Sequence, residues 1–274
     1  MAYKFSEGAQ GDTSDKPGVV ITGCHHAREW MTVEAPLALG KSLLEGIADD
    51  PAKQSRLASS EIWIVPCANP DGYEYSRETD NMWRKNRRPV GQDQLGNPTT
   101  AVGIDLNRNY GDDLFNHHII FRPDGDTPGN TADDFGATSD DPFSEVYRGP
   151  YAASEPEVQA MQNLQMHQNI RGVLDMHSYG QDLLYPWSHT PVKPAEDDWY
   201  KKVGGAVADA GGYKLEPGIG LYPNSGSSDI FQEANGLRTF TIEMGESFQP
   251  DPSTIPETTA KATAASTVFI DAII

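Results

Sequence analysis

His26 and Glu29 stand three residues apart in a turn that joins an apolar run to a helical pattern. The run Val19–Ile21 predicts a strand, and the pattern over residues 32–48 predicts a helix. One turn of helix places positions i and i+3 side by side, so this imidazole and this carboxylate can bind one zinc ion together. The pair alone is a weak motif, because such residues often fall at this spacing on a protein surface. A metal site therefore needs a third ligand from elsewhere in the chain.

His177 is the candidate third ligand because it ends a predicted buried strand, residues 171–177. The carboxyl ends of parallel strands meet at one edge of an α/β sheet, where His26 is also expected to lie. Two histidines and one glutamate leave the fourth position of a tetrahedral zinc ion open, as in hydrolytic sites. The alternative histidine ligands are His25, His117 and His118.

A general base is also needed, because the metal acidifies a water molecule whose proton must be taken up. The predicted strand 237–243 alternates apolar and polar residues and ends at Glu243, a favourable position for that base. Glu246, which follows shortly after, is the alternative. Asp175 shares the face of His177 by the two-residue period of a strand, and we expect it to be a hydrogen-bonded structural carboxylate.

The composition describes an acidic chain that is long enough for one large domain. It has 274 residues, 21 basic and 40 acidic side chains, and a net charge of −19. This balance argues against nucleic acid or an anionic membrane surface as a partner. No apolar run approaches the ~20 residues of a membrane span, and the first residues lack the pattern of a signal peptide. Cys24 and Cys67 each follow a strand-like run, which leaves a disulfide and two buried thiols equally open.

Strands and helices alternate along the chain, which predicts an α/β fold. The predicted strands are 19–24, 61–66, 171–177 and 237–243, and the predicted helices are 32–48, 154–168, 197–210 and 258–273. Residues 1–18 are predicted to be a polar lead-in, residues 69–72 a turn, and residues 73–149 a long functional loop without periodicity. We expect a mixed, mostly parallel twisted sheet flanked by helices.

Seven short motifs, taken in order, resemble those of the zinc carboxypeptidases of the carboxypeptidase A/B family. Residues 26–30 are similar to the first metal motif, residues 177–179 to the second and residues 240–243 to the catalytic strand. The remaining matches are Asn69–Tyr73, Trp83–Lys85, Asp105–Asn109 and Tyr222–Gly226. The resemblance implies a single peptidase domain over residues 1–274 with a zinc carboxypeptidase-like fold. It also implies that an N-terminal edge helix or strand of the family is missing here.

The resemblance implies how the cleft would act on a peptide. Arg84 would stabilise the oxyanion that forms at the scissile carbonyl. Asp105 would hold the second ring nitrogen of His26, and Arg28 would help to line the cleft. These roles come from the family and not from the spacing of the residues.

On the substrate side, the resemblance assigns Asn107 and Arg108 to the terminal carboxylate, since a bidentate arginine suits a planar anion. Tyr222 would close over the bound residue from a mobile loop. In the family, the residue seven positions after this tyrosine lies at the base of the S1′ pocket. Here that residue is Asp229, and an acid there goes with terminal Lys or Arg. One residue is missing between Tyr222 and Glu243, and a gap before residue 229 would make that acid structural. We therefore expect basic or mixed specificity.

The function implied by the resemblance is hydrolysis of the C-terminal peptide bond, with one zinc ion per chain. The partner would be a peptide with a free C-terminal carboxylate. We expect a monomer, secreted or extracytoplasmic, without nucleic-acid or membrane partners. The alternative is a metal-dependent amidohydrolase of the same fold that acts on N-acyl amino acids or cell-wall peptides. The resemblance also implies a cis peptide bond between Ser178 and Tyr179.

Overall fold

The computed structural model describes residues 1–9, 15–93, 95–111, 137–167 and 169–274, so the alternative ligands His117 and His118 lie outside the described residues. Within these ranges the strands are β1 Tyr3–Phe5, β2 Gly18–Gly23, β3 Glu61–Val65, β4 Ile170–His177, β5 Asp182–Tyr185, β6 Lys214–Pro217 and β7 Arg238–Glu243. The α-helices are α1 Met31–Leu44, α2 Pro51–Ser59, α3 Pro70–Glu78, α4 Pro156–His167, α5 Asp197–Gly211, α6 Ser228–Ala234 and α7 Ile255–Ile273. Short 3-10 turns lie at Ile47–Asp49, Leu106–Arg108, Gly218–Gly220 and Pro252–Thr254.

The described strands form one mixed sheet in the order β1-β3-β2-β4-β7-β5-β6. The four neighbouring strands β3, β2, β4 and β7 run parallel to one another. β1 and β5 pair antiparallel with β3 and β7, and β6 runs parallel to β5. The prediction of a mixed, mostly parallel sheet is confirmed. Because the central strands point the same way, β2, β4 and β7 end at the same edge.

Helices cover both faces of the sheet, which explains why every residue of β2 is buried. The core on one face joins α1, α5 and α7 and includes Leu39 and Phe269. The core on the other face joins α4 and α6 and includes Val173. Close packing at the end of β2 requires a glycine, since a Cβ on Gly23 would lie 1.9 Å from the carbonyl oxygen of Thr32 in α1. The turn that carries the candidate ligands is therefore held tightly against its helix.

Several element predictions were wrong, each for a local reason. The predicted polar lead-in contains β1, a short edge strand that pairs with β3. The predicted turn at residues 69–72 starts α3, because the Asn69 side chain accepts the Gly72 N–H and Pro70 occupies the first helical position. The strands β5 and β6 are four residues each and are too short to show a clear period. The residue types that form turns also start helices, so the sequence pattern did not distinguish α3 from a turn.

Three further sequence questions are answered by the structure. Cys24 and Cys67 are free thiols, which decides between the two options that the sequence left open. The bond between Ser178 and Tyr179 is cis, as predicted. In the described part of the chain, none of the helices has the length and apolar character that a membrane span requires.

Candidate active site

Three neighbouring strands deliver the candidate ligands and base to one edge of the sheet. His177 and Glu243 are the last residues of β4 and β7, and they are register partners. β2 ends three residues before His26. Glu29 follows in the same turn, where its N–H bonds the His26 carbonyl at 3.2 Å. All four side chains are buried, so the crossover topology brings them together away from solvent.

The three candidate metal ligands point nitrogen and oxygen atoms at one another. Nδ1 of His26 lies 3.2 Å from Nδ1 of His177. The two nitrogens contact the two oxygens of the Glu29 carboxylate at 2.6 and 3.1 Å, respectively. Two imidazole lone pairs this close need a proton or a cation between them. Tetrahedral zinc, with bonds of about 2.0–2.1 Å to nitrogen, spaces its ligand atoms by about 3.3 Å. The residues present therefore fit one zinc ion, and they form a cluster able to hold a metal.

The charges of the three ligands depend on one another. Burial lowers the pKa of His177, but the Glu29 carboxylate outweighs this effect and raises that pKa to about 9. Burial and the nearby Arg84 cation lower the pKa of His26. Burial alone would raise the pKa of Glu29, yet the two imidazoles hold it far below its usual range. One imidazole thus keeps a proton that an incoming metal ion must displace.

Asp105 connects His26 to Arg84. Its carboxylate lies 3.2 Å from Nε2 of His26 and accepts a hydrogen bond of 2.8 Å from Nε of Arg84. Burial alone would raise the pKa of Asp105, but Arg84 and His26 hold it well below the usual range. Nη2 of Arg84 is buried and has no hydrogen-bond partner among the described residues. A donor of this cation therefore remains available close to the ligands.

Glu243 has the environment of a group that can exchange a proton. Its side chain is buried at the end of β7, with 9% exposed. Burial raises its pKa to about 8, with Glu29 adding to this shift and His177 and Arg84 opposing it. The alternative base, Glu246, is exposed and accepts a hydrogen bond of 3.1 Å from the Gln181 amide. A cation at the ligand cluster would lower the pKa of Glu243 again, because it favours the ionised form.

The residues assigned to a terminal carboxylate lie next to the ligand cluster. Nδ2 of Asn107 is 3.4 Å from Nε2 of His177. Oδ1 of Asn107 accepts a hydrogen bond of 2.9 Å from the Ser228 backbone N–H. Arg108 is 2% exposed, and its guanidinium donates to two backbone carbonyl groups. The same guanidinium lies 5.6 Å from the centre of the Tyr222 ring. The structure therefore groups Asn107, Arg108 and Tyr222 on one side of the ligands.

Arg28 and Asp229 have partners that the sequence did not indicate. Arg28 forms an ion pair of 3.0 Å with Glu145, whose side chain is largely exposed. Asp229 is buried at the start of α6 and accepts hydroxyl hydrogen bonds of 2.7 Å from Ser188 and 2.5 Å from Ser227. The contacts with Glu145 and Ser188 come from distant loops and have no signal in the spacing, whereas Ser227 lies two residues before Asp229.

His25, the alternative to His26, contacts Tyr110 rather than the Glu29 carboxylate. Its Nε2 lies 2.8 Å from the Tyr110 hydroxyl oxygen. Its ring stacks on that of His177, with centroids 5.4 Å apart and planes 11° apart. Burial lowers the pKa of His25, so its ring is neutral. His25 therefore packs behind the third ligand instead of joining the cluster.

Asp175 satisfies only half of its expected hydrogen bonding. Its Oδ2 accepts from the Ser228 hydroxyl and from the Gln232 amide. Its Oδ1 is buried and has no hydrogen-bond partner within the described ranges. Burial raises the pKa of Asp175 to about 6, and the two donors oppose this shift. The sequence placed Asp175 on the face of His177 but could not reveal α6, which supplies both donors.

Comparison with known proteins agrees with this geometry. A family model described as zinc carboxypeptidase matches residues 1–265. Carboxypeptidase A4 of Mus musculus is 33% identical over 251 residues, which cover 88% of this chain and 53% of that protein. Carboxypeptidase B of Astacus astacus is 31% identical over 244 residues, which cover 84% of this chain and 71% of that protein. The chain spans about half the length of the mouse relatives that it matches.

A solved structure with a similar fold gives a second comparison. The crystal structure of thrombin activatable fibrinolysis inhibitor superposes with a TM-score of 0.83 at 25% sequence identity. The superposition covers 99% of this chain and 65% of that one. Since the family model spans nearly the whole sequence, the chain belongs to the zinc carboxypeptidase family.

Proposed function

We propose that this chain is a zinc-dependent exopeptidase that hydrolyses the C-terminal peptide bond of peptides. The observation that carries the proposal is the convergence of His26, Glu29 and His177, with Glu243 in register beside the third ligand. Two nitrogens and a carboxylate leave room for water and a substrate carbonyl at the metal. Membership of the zinc carboxypeptidase family supports the same class of reaction.

Each residue around the ligand cluster has a separate role in the proposed reaction. Zinc, when bound, polarises a carbonyl and makes water a nucleophile near neutral pH. Glu243 accepts the proton of the attacking water and returns it to the leaving amine. Nη2 of Arg84 donates to the carbonyl oxygen as negative charge develops there. Asp105 keeps Arg84 and the His26 ring in position through its two contacts.

The cleft selects the end of a chain rather than its middle. Arg108 is held by two backbone carbonyls, so its guanidinium is positioned before a ligand arrives. Asn107 is adjacent and borders His177, which sets the distance between the terminal carboxylate and the scissile bond. Tyr222 lies over the Arg108 guanidinium and would cover the bound residue. An internal segment of a peptide has no terminal carboxylate that could bind the Arg108 guanidinium.

The side-chain pocket is proposed to favour basic or mixed C-terminal residues. The support is Asp229, a carboxylate that is 8% exposed and fixed by hydroxyl groups. Both of these hydroxyl groups are neutral donors, from Ser188 and Ser227. A cationic terminal side chain would give this carboxylate a partner of opposite charge. Action as a monomer and a secreted or extracytoplasmic location stay predictions, as does a single domain over residues 1–274.

A substrate panel tests the proposal. The zinc-loaded protein should release the terminal residue from hippuryl-arginine and hippuryl-phenylalanine, and 1,10-phenanthroline should abolish both activities. The Glu243→Gln protein, prepared in parallel, controls for a contaminating peptidase. Turnover of N-acetyl amino acids or muropeptides without turnover of the hippuryl substrates would contradict the exopeptidase proposal and support the amidohydrolase alternative.

A further inference from the structure

The two candidate histidine ligands are supported unequally by the residues around them. Oδ1 of Asp105 lies 3.2 Å from Nε2 of His26, so this ring has a carboxylate on its second nitrogen. In the described part of the chain, Nε2 of His177 contacts Nδ2 of Asn107 at 3.4 Å and no carboxylate. That contact is long, since a typical hydrogen bond to nitrogen measures about 2.9–3.0 Å. The orientation of the His177 ring therefore needs another support.

The His25 ring lies flat against the His177 ring and can provide this support. The two centroids are 5.4 Å apart and the two planes differ by 11°. This geometry falls within the range of about 4.5–7 Å for stacked aromatic pairs. Both residues are buried, so the His177 ring cannot tilt out of its plane without pressing its edge against the neighbouring ring. The stack thus restricts the direction in which Nδ1 of His177 points toward His26 and Glu29.

Tyr110 and Asn69 hold His25 in turn. The Tyr110 hydroxyl oxygen lies 2.8 Å from Nε2 of His25. Tyr110 has no exposed surface, and its backbone N–H donates to the Gly226 carbonyl at 2.9 Å. Nδ2 of Asn69 donates to the His25 backbone carbonyl at 3.1 Å. Contacts from two separate chain segments therefore fix both the backbone and the ring of His25.

Packing alone does not explain why a histidine occupies position 25. Its Nδ1 is buried and has no hydrogen-bond partner among the described residues. A buried polar atom without a partner is unfavourable, so an apolar side chain would suit a purely structural position better. The other nitrogen, Nε2, is the atom that meets the Tyr110 hydroxyl. Histidine combines a flat ring for the stack with a nitrogen that anchors the plane of that ring.

We propose that His25 is a positioning residue for the metal site: its ring, anchored by the Tyr110 hydroxyl, holds the His177 imidazole in the plane that points Nδ1 at the other two ligands. This inference rests on the proposed zinc site. It gives the third ligand a support that corresponds to the one that Asp105 gives to His26. Metal sites need ligands that neighbouring side chains hold within a narrow range of angles. Loss of the stack therefore weakens metal binding without removing a ligand atom.

Zinc affinity, measured by competition with a chromophoric chelator, separates the flat ring from the space that it fills. His25→Leu removes the ring and should lower zinc affinity about tenfold. His25→Phe restores a ring and should stay within about threefold of the wild type. Ile270→Val is the control for lost stability, because it weakens the core that α7 covers, whereas Tyr110 belongs to the core on the other face of the sheet. Equal affinity in the wild type and His25→Leu would overturn the inference, and so would an equal loss in the two His25 variants.

The visible absorption spectrum of the cobalt(II)-substituted protein gives a second readout that needs neither a chelator nor turnover. Tyr110→Phe keeps all three ligands and the His25 ring but removes the hydroxyl that anchors it. This variant and His25→Leu should both shift or broaden the d–d bands, because these bands report the geometry of the ligands around the ion. Bands identical to those of the wild type in both variants would overturn the positioning role.

The wild-type protein separates this inference from the function on which it rests. A wild-type protein that binds no zinc would refute the proposed function together with the role of His25. Zinc binding and hydrolysis of hippuryl-arginine by the wild type, with affinity and spectra unchanged in the His25 and Tyr110 variants, would refute only the positioning role.

Discussion

His177 and Glu243 face each other as register partners on the parallel strands β4 and β7. Each is the last residue of its strand, so a candidate metal ligand and a carboxyl group with a raised pKa occupy one pair of neighbouring positions. A shift of one residue in this register would turn either side chain to the opposite face of the sheet. The pairing of these two strands is therefore the structural condition for the proton transfer that we propose next to the metal site.

Glu243→Gln should remove turnover without removing zinc. Glutamine keeps the shape of the side chain but cannot accept a proton. We therefore expect kcat on hippuryl-arginine to fall by at least about 10³-fold, as is typical when a catalytic base or a group that stabilises the transition state is removed. The zinc content, measured by plasma emission spectrometry, should stay at one ion per chain. Glu246→Gln is the control, since that exposed residue should change kcat little. Near-normal hydrolysis by the Glu243 variant would exclude the residue as the base.

The stability of the metal-free protein should fall as pH rises past the pKa range of Glu243. Burial raises this pKa from 4.5 to about 8, so the folded state binds more protons than the unfolded state between these values. Stability due to the protonated carboxyl is therefore present below pH 4.5 and is lost progressively up to pH 8. The full penalty is on the order of 3–5 kcal/mol.

Glu243→Gln removes that penalty and so provides the measurement. In the presence of EDTA, the variant should melt about 5–15 °C above the wild type at pH 9. The two proteins should melt close together at pH 5, where the folded-state carboxyl is protonated. An equal difference between the two proteins at both pH values would show that the substitution acts through packing and not through ionisation.

Asp105→Asn should weaken zinc binding. The Asp105 carboxylate contacts Nε2 of the His26 ring and neutralises Arg84. Asparagine carries no negative charge for either contact. Loss of such a supporting contact typically costs 10–100-fold in metal affinity, so we expect about that range. Competition with a chromophoric chelator measures it, with Asp209→Asn as the control for loss of one negative charge. An unchanged affinity would show that the His26 ring is positioned without Asp105.

Zinc binding to the metal-free protein should release between one and two protons near pH 7.5, since the metal must displace the proton on the imidazole pair and also lowers the pKa of Glu243, which is about 8 without it. The basis is the pKa of His177, which Glu29 raises to about 9 despite burial. Calorimetric titrations in two buffers of different ionisation enthalpy give the number of protons. His177→Gln, which lacks the imidazole, should release about one proton fewer than the wild type. A wild-type value of zero would mean that the metal-free cluster holds no proton at this pH.

Much of the fold could be derived from the pattern of residues. The strands with strong apolar runs and the helices of the sheet faces were predicted to within a few residues, because burial on both faces leaves a long local signal. The short strands β1, β5 and β6 were not, since three or four residues carry too little periodicity. α3 was missed because Asn69 and Pro70 suit both turns and helix starts.

The chemistry divides in the same way. His26, Glu29, His177 and Glu243 could be named from the chain alone, because spacing within one turn and position at a strand end are local properties. The contact of Asp105 with His26 was implied by the family resemblance, but the ion pair of Asp105 with Arg84, the Ser188 hydroxyl on Asp229 and the unpaired oxygen of Asp175 became visible only in three dimensions. Each depends on side chains from distant segments, and which segments meet is set by the order of strands in the sheet and the packing of α6 upon it.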